Sequence, residues 1–384
     1  CSRGRGHGDG LPYEQQHDVP RASRPEPIVP IPMIKTVSER CAYDGQVLIP
    51  LNEDDVRLKL RDLVDHGAET IVVVLINSVV NPEHELRVRE IYLEEYPGYF
   101  LGAVPMLLSH QVAGRKGEYA RATSTIIDGF LHSAMYHGLG ALELNLRENG
   151  YDKPMLINHN SGGMAQLNST DALQTVHSGP VSGVAASEHL AADGGLGNVI
   201  ATDMGGTSFD IGIVTEGQEK HYDFQPVIDR WLVSVPMIHL VTLGAGGGSI
   251  AWQDPGGLLR VGPQSAGSVP GPACYGNGGN EPTVTDAALV LGYIDPDYFN
   301  GGRLTLDRAA AERVIGEFGK IIGKTLDDTA HAIMVIANEL MIKAIGEITV
   351  NDGLNPRDSV IVAGGGAAGF NIMPIARELG CDTV

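Results

Sequence analysis

The sequence predicts an α/β protein built from two domains, and three observations support this class. Its 384 residues are enough for two domains with sizeable cores. Apolar strands of the buried parallel type, such as residues 70–76, alternate with amphipathic helices along the chain. The 50 glycines cluster at the joints between strands and helices, where tight turns need them. The glycine content therefore indicates turns in a folded chain.

The predicted elements follow in order from periodicity and capping signals. In the first helix, Val56, Leu60 and Leu63 share one face and Gly67 follows its end. Helices are predicted at 53–66, 82–95, 118–149, 179–190, 284–291, 307–322, 329–350 and 372–380, with Gly138–Gly140 as the expected position of any break in the third. Strands are predicted at 46–50, 70–76, 100–105, 155–158, 198–203, 210–214 and 359–363. The first strand, first helix and second strand form a predicted βαβ unit.

The predicted organisation has three parts. Residues 1–40 are rich in proline, glycine and charge and form an irregular connecting segment. Residues 41–195 form a partial first α/β domain, and residues 196–384 form the second. The chain has no initiator methionine and ends on residues typical of the start of a strand. We therefore expect a fragment of a longer protein that lacks the N-terminal part.

Composition narrows the class of partner and compartment. A net charge of −20 argues against a nucleic acid partner, because phosphate backbones bind to basic faces. No apolar run approaches the length that crosses a membrane. The four cysteines are widely spaced, which argues against a disulfide framework or a structural zinc site and suits a reducing cytoplasm.

The strongest functional signal is the run DMGGTSFD at residues 203–210, which joins two apolar strands. Its turn consists of Gly205, Gly206, Thr207 and Ser208. Glycines let an anion approach the backbone N–H groups, and the two hydroxyls add donors. Asp203 and Asp210 cannot bind phosphate directly, so their expected role is catalytic, through Mg²⁺ near Asp203 or by polarising the attacking group. An ordinary hairpin with a glycine turn is the alternative.

A second glycine-rich turn, AGGGAAG at residues 363–369, follows a predicted strand and precedes a helix. Its candidate nucleotide-binding residues are Gly364, Gly365, Gly366 and Ala367. The spacing matches the G-x-G-x-x-G fingerprint, so an NAD-binding oxidoreductase is an alternative. Because the DMGGTSFD hairpin has no role in a dinucleotide site, we favour an adenosine-contacting loop of a two-domain ATPase.

A third run, GAGGGS at residues 244–249, lies between apolar strands. Glycine this dense is costly unless the backbone passes close to another group. Gly246 and Gly247 are predicted to lie near the nucleotide, although a domain junction would explain them equally well. The sequence contains no P-loop, no nucleophile elbow and no H-E-x-x-H zinc motif.

These runs, taken in order, resemble the hydantoinase A/oxoprolinase family. DMGGTSFD is accompanied by SGGM at 161–164, HSGP at 177–180, TLGAGGGSIAW at 242–252, GPQSAG at 262–267, PGPACYG at 270–276 and PTVTDA at 282–287. The match extends from about residue 40 to residue 384. So many short motifs in one order argue against chance agreement.

The resemblance implies a duplicated ribonuclease-H-like fold, as in actin, heat-shock chaperone ATPases and sugar kinases, with the nucleotide between two α/β domains. Residues 203–210 then correspond to the second phosphate loop and residues 364–369 to the adenosine loop, and ATP and Mg²⁺ are the implied cofactors. The family's first phosphate loop, of D-x-G-G-T type, has no counterpart before residue 200, in keeping with a fragment.

Within the family three ATP-driven activities compete: opening of 5-oxoproline, opening of hydantoins and carboxylation of ketones. The run GGGAAGFN at residues 364–371 departs from the GGAGPLH-like form of hydantoinases and is more similar to carboxylases of acetone or acetophenone. The implied role is a phosphoryl-transferring subunit that activates a ketone enolate and bicarbonate. The alternatives are phosphorylation of a cyclic amide carbonyl and a non-catalytic nucleotide-binding scaffold.

The resemblance also implies partners. A hydantoinase B-like large subunit is expected, and in ketone carboxylases a small additional subunit that carries metal.

Overall fold

The computed structural model describes residues 26–98, 104–216, 219–220 and 222–384, and contacts divide the chain into two compact units. Unit 1 comprises the described residues of Cys1–Ser178 and Tyr222–Met237. Unit 2 comprises those of Gly179–His221 and Ile238–Val384. Compared with the expected boundary at 195/196, unit 2 begins earlier in the chain, and a short later segment returns to unit 1. Most of the expected connecting segment, 1–25, lies outside the described residues.

The regular elements alternate along the chain. The helices are α1 (Glu53–Asp65), α2 (Glu83–Glu95), α3 (Ser109–Val112), α4 (Glu118–Glu148), α5 (Ser178–Gly194), α6 (Val284–Val290), α7 (Arg308–Ile322), α8 (Leu326–Asn351) and α9 (Ile372–Leu379). The strands up to residue 215 are β1 (Arg40–Cys41), β2 (Val47–Ile49), β3 (Ile71–Val73), β4 (Met106–Leu108), β5 (Leu156–Asn158), β6 (Met164–Gln166), β7 (Asn198–Met204) and β8 (Phe209–Thr215). The remaining strands are β9 (Glu219–Lys220), β10 (Tyr222–Asp223), β11 (Val227–Ile228), β12 (Trp231–Leu232), β13 (Met237–Ile238), β14 (Val241–Leu243), β15 (Ser249–Gln253), β16 (Leu259–Ser265) and β17 (Ser359–Gly364).

The centre of unit 1 is a parallel pair, β3 and β4, connected through α2. The predicted βαβ unit beginning at residues 46–50 is wrong, because β2 pairs antiparallel with β1 in a separate hairpin. The strand predicted at 100–105 begins outside the described residues, and the observed strand is β4. Apolar residues of α1 and α2 pack with β3 and β4 in one buried cluster. The apolar face of α2 therefore holds this connecting helix against the two parallel strands.

A buried polar network holds the ends of β3 and β4 together. Glu85 of α2 is fully buried and accepts hydrogen bonds from the Leu75 N–H at 2.9 Å and the Ser109 hydroxyl at 2.6 Å. The fully buried Arg121 donates to Ser109 Oγ at 3.0 Å and to the Leu75 carbonyl at 2.7 Å. The pair of Glu118 and Arg121 that their spacing predicts is present at 3.8 Å, but Arg121 mainly anchors α4 to the strand ends.

The main sheet of unit 2 has the strand order β14-β8-β7-β17, with β9 paired to β8. Strands β7 and β8 form an antiparallel hairpin, β14 adds antiparallel to β8, and β17 lies parallel to β7. This mixed sheet and its helices confirm the predicted α/β class and give unit 2 the ribonuclease-H-like order. The hairpin predicted between residues 198 and 214 is also confirmed.

Helices cover both faces of the unit 2 sheet, and alternate residues of β7 are therefore buried on opposite sides. Ile200 and Met204 belong to the large core that includes α6, α7 and α8, whereas Val199 and Ala201 pack with Val184 of α5. Burial on both faces explains the continuous apolar runs in the sequence. The longest helices, α4 and α8, are unbroken. In the described residues, no helix combines the length and apolar character needed to cross a membrane.

A close approach of α5 to β8 provides a test of this packing. A Cβ atom on Gly212 of β8 would overlap the Val184 side chain and lie 3.2 Å from Leu240 Cδ2. We expect Gly212→Ala to lower the free energy of unfolding of unit 2 by about 1–3 kcal/mol, as overpacking does. Urea denaturation followed by circular dichroism measures the change.

Gly183→Ala is the matched control. Gly183 lies on α5 beside Val184, and its added Cβ would meet nothing within 4 Å. It should be neutral or stabilise by up to about 1 kcal/mol. Equal midpoints for the two variants would contradict the packing of α5 on β8.

Candidate functional site

The DMGGTSFD run forms the tip of the β7–β8 hairpin in unit 2. Asp203 lies opposite Asp210, and Met204 lies opposite Phe209, in antiparallel register. The Gly205 N–H donates to the Ser208 carbonyl at 3.0 Å and closes the turn. The turn itself is at the surface, with Gly206 and Thr207 exposed. Buried strands thus present a short polar turn to solvent.

Two other glycine-rich loops hold this turn through its carbonyl groups. The Gly247 N–H donates to the Gly205 carbonyl at 3.0 Å, and the Gly248 N–H donates to the Gly206 carbonyl at 2.6 Å. From the other side, the Ala367 N–H donates to the Met204 carbonyl at 3.1 Å. The three runs singled out in the sequence therefore meet at one place in unit 2.

Glycines allow the loops to approach the hairpin this closely. A Cβ atom on Gly246 would lie 2.7 Å from the Gly206 carbonyl carbon. Gly365 has a φ of +89°, and a Cβ there would overlap the Met204 carbonyl oxygen and Asp203 Oδ1. The left-handed φ and the lack of space both require glycine at this position.

The carbonyl and N–H groups of the turn differ in their hydrogen bonding. Within the described chain, the N–H groups of Gly206, Thr207 and Ser208 donate to no backbone carbonyl. Three consecutive unengaged N–H groups at an exposed turn form a concave set of partial positive charges. Such a set can bind an anion without a basic side chain.

The two aspartates have different environments. Asp210 is buried and accepts hydrogen bonds from the Thr242 hydroxyl at 2.5 Å and the Ser208 hydroxyl at 3.1 Å. No described residue donates a hydrogen bond to the Asp203 carboxylate. Burial and the neighbouring Asp210 charge raise the pKa of Asp203. A cation beside Asp203 would oppose both effects, so the donor chemistry fits a Mg²⁺ ion.

All the predicted site residues lie in unit 2, and the structure brings them together. Gly364 is the last residue of β17 and lies beside Asp203 in parallel register. Gly365, Gly366 and Ala367 continue from it into the loop that contacts the turn. This convergence supports the glycine loops as one site.

Three residues that position this site were not singled out from the sequence. Thr242 donates to Asp210, and Gly248 holds the turn. Thr285 donates to the Gly247 carbonyl through its N–H at 2.7 Å and its hydroxyl at 2.8 Å. All three lie within the motifs that carry the family resemblance, but only the fold shows which groups they contact.

Fold and site together define an α/β protein of ribonuclease-H-like order in which three glycine loops converge at one hairpin. Comparison with known families agrees. The Hydantoinase/oxoprolinase profile matches residues 121–384, and that of the family's N-terminal region matches residues 8–96. The chain belongs to the hydantoinase/oxoprolinase family.

Individual relatives refine this placement. The chain is 45% identical to the acetophenone carboxylase gamma subunit of Aromatoleum aromaticum, over 95% of this chain and 50% of that protein. It is 33% identical to the caprolactamase subunit alpha of Pseudomonas jessenii, over 99% of this chain and 55% of that one. A solved nucleotide-free structure of acetone carboxylase superposes with a TM-score of 0.85 at 29% identity, covering 98% of this chain and 53% of that one. The chain thus spans about half the length of these relatives.

The contact between Gly365 and the hairpin predicts a measurable local effect. Gly365→Ala should loosen the turn, because the added Cβ is strained at this φ and displaces the Met204 carbonyl. We expect faster amide hydrogen exchange in the peptide spanning residues 204–209, and a loss of stability of about 1–3 kcal/mol. Mass spectrometry after deuterium labelling measures the exchange.

The neighbouring Gly366→Ala is the control, since its Cβ would meet nothing within 4 Å. It should leave exchange in this peptide unchanged. Similar exchange in both variants and the wild type would argue against a turn held by the 364–367 loop.

Proposed function

We propose that this chain is the ATP-binding, phosphoryl-transferring part of an ATP-dependent enzyme. The observation that carries the proposal is the hairpin turn of residues 205–208. Two loops hold it at the Met204, Gly205 and Gly206 carbonyls, while three of its N–H groups donate to no backbone carbonyl of the described chain. The N–H groups of Gly206, Thr207 and Ser208 would bind phosphate oxygens, and the Thr207 hydroxyl would add a donor. The Ser208 hydroxyl is already donated to Asp210. Backbone dipoles can do this in a chain of net charge −20.

The two other loops would complete the nucleotide site. Residues Gly364, Gly365, Gly366 and Ala367 are proposed to contact the adenosine. Gly246 and Gly247 are proposed to lie near the phosphates, because this loop holds the turn that grips them. Their lack of side chains keeps the backbone within reach of a ligand.

Asp203 and Asp210 would have complementary roles. Asp203, which receives no hydrogen bond from a described residue, would hold Mg²⁺ directly or through water. A bound Mg²⁺ supplies positive charge that stabilises transferring phosphoryl groups. Asp210 would keep the Ser208 and Thr242 hydroxyls in position and add negative charge beside Asp203, and it remains the second catalytic candidate.

The favoured reaction is ATP-dependent carboxylation of a ketone such as acetone or acetophenone. The 45% identity to an acetophenone carboxylase subunit supports this choice. In the proposed reaction, phosphoryl groups pass from ATP to the enolate oxygen of the ketone and to an oxygen of bicarbonate. Water then cleaves the P–O bond of the enol phosphate, which releases phosphate and returns the enolate. The enolate carbon attacks the carboxyl carbon of carboxyphosphate, the bond from that carbon to the phosphate oxygen breaks, and the second phosphate leaves as the carbon–carbon bond forms. The protein would contribute orientation and charge stabilisation.

This activity would require other chains and a cytoplasmic supply of ATP. The relatives are named as subunits, which supports a heteromeric complex. We propose a hydantoinase B-like large subunit and a small metal-carrying subunit as the partners.

Opening of a cyclic amide is the second candidate, and the 33% identity to a caprolactamase subunit favours it. Here ATP would phosphorylate the amide carbonyl oxygen, and water would attack the carbonyl carbon. The C–N bond of the ring would then break, the nitrogen would leave as the amine, and phosphate would be released. The same hairpin and aspartates would serve, so the two candidates differ in the substrate bound.

The role of Asp203 can be tested in the complete native complex. Asp203→Asn should abolish ATP hydrolysis, because the amide cannot supply the negative charge that holds Mg²⁺. A loss of at least about 100-fold in turnover is expected, the size typical of removing a key electrostatic group. Wild-type turnover in this variant would refute the assignment.

Asp193→Asn, on the exposed end of α5, is the matched control and should retain activity. Circular dichroism spectra and melting temperatures of both variants would show that the fold is intact.

The substrate can be identified by asking which compound stimulates ATP consumption. We expect acetone or acetophenone to do so only with bicarbonate present, and labelled bicarbonate carbon to enter a carboxylate product. Stimulation by caprolactam, hydantoin or 5-oxoproline without bicarbonate would favour the amide reaction. Tight ATP binding with no stimulation by any of these would indicate a scaffold, and a rise in melting temperature with NAD(H) but not ATP would indicate a dinucleotide site.

A further inference from the structure

Three metal-binding side chains converge in unit 1, in the other unit from the hairpin. Glu39 and Cys41 flank Arg40 at strand β1, and His84 lies in the first turn of α2. His84 Nδ1 is 2.8 Å from Glu39 Oε2 and 3.8 Å from Cys41 Sγ. One oxygen, one nitrogen and one sulfur atom therefore lie within 4.8 Å of one another.

The three side chains are shielded from solvent. Cys41 is 2% exposed, His84 is 7% exposed, and the Glu39 side chain is 6% exposed. A mixed set of acidic, thiol and imidazole groups is costly to bury without a compensating positive charge. Its burial at one point therefore needs a physical explanation.

Surrounding hydrogen bonds fix the backbone of this cluster. Asn77 Nδ2 donates to the Cys41 carbonyl at 3.0 Å, and Asn81 Nδ2 donates to the Gly45 carbonyl at 3.0 Å. Asn81 Oδ1 also accepts from the Glu83 N–H at the start of α2. The β1–β2 hairpin is thereby tied to the beginning of α2, which preorganises the three side chains.

Among the described residues, no lysine or arginine pairs with the Glu39 carboxylate. In the described chain, His84 is the only ion-pair partner of Glu39. A divalent cation would compensate the carboxylate and a thiolate together, and binding would release the thiol proton.

We propose that Glu39, Cys41 and His84 bind one Zn²⁺ ion. Ligands of a tetrahedral zinc ion with bonds of about 2.0–2.3 Å lie roughly 3.3–3.7 Å apart. The observed separation of Nδ1 and Sγ is close to this, and the pair of Nδ1 and Oε2 needs only a small opening. Sulfur and imidazole ligands select zinc over Mg²⁺ or Ca²⁺. Three protein ligands leave the fourth position for water.

Such an ion would fasten the β1–β2 hairpin to α2. Sequence spacing does not reveal the set, because Cys41 and His84 are 43 residues apart and no C-x-x-C or H-E-x-x-H pattern occurs. The inference does not depend on the proposed ATP chemistry, since it concerns residues of unit 1 only.

Metal content and cobalt spectroscopy of the complete native complex test the site. We expect Cys41→Ser and His84→Gln each to contain one zinc ion per chain less than the wild type. Replacement of zinc by Co²⁺ in the wild type should give a sulfur-to-cobalt charge-transfer band in the near ultraviolet. The band should lose the intensity of one site per chain in Cys41→Ser, and zinc affinity should fall by more than about tenfold in His84→Gln.

Cys381→Ser is the control, because this buried free cysteine lies in unit 2; it should change neither the zinc content nor the band. Differences between variants isolate this site from metals held by other subunits. The wild-type spectrum provides a reading even if a variant does not fold. The absence of a sulfur–cobalt band in the wild type, or a band of undiminished intensity in Cys41→Ser, would overturn the proposal.

Discussion

Three consecutive backbone carbonyls, those of Met204, Gly205 and Gly206, are held by N–H donors from two distant loops, and the candidate site depends on this constraint. In a trans peptide the N–H points away from the preceding carbonyl. Engagement of the Gly205 and Gly206 carbonyls therefore directs the Gly206 and Thr207 N–H groups away from the loop that holds them. The same contacts set the spacing of the loops at 246–248 and 365–367. A side chain at Gly246 or Gly365 would force the loops apart, so the glycines of three separate runs serve one local arrangement.

The site also reconciles an acidic chain with an anionic ligand. Backbone dipoles do not depend on the net charge of −20, and they are fixed before a ligand arrives. The two aspartates then differ by environment. Asp210 is saturated with hydroxyl donors, whereas Asp203 is left with a carboxylate whose charge is disfavoured by burial and by its neighbour. That contrast separates a residue that positions its neighbours from one suited to hold a cation.

In unit 1, two clusters of buried polar side chains connect strands to helices. Ser109 links Glu85 and Arg121 by hydrogen bonds at the ends of β3 and β4, so these buried side chains secure the parallel pair. The cluster of Glu39, Cys41 and His84 is less completely balanced, and a metal ion would complete it. Both clusters show that short strands in this unit are joined by polar contacts as well as by an apolar core.

The sequence by itself determined the α/β class, most helices, the DMGGTSFD hairpin and the family, because these follow from local periodicity, glycine placement and ordered motifs. It misassigned the partner of β2, since strand pairing depends on which edge is available in three dimensions. It also gave no sign of the contacts from Thr242 to Asp210 or from His84 to Glu39, which join residues 32 and 45 positions apart. Only the tertiary structure decided which glycine loop touches which carbonyl, because such contacts are set by chain packing and leave no periodic signal in the sequence.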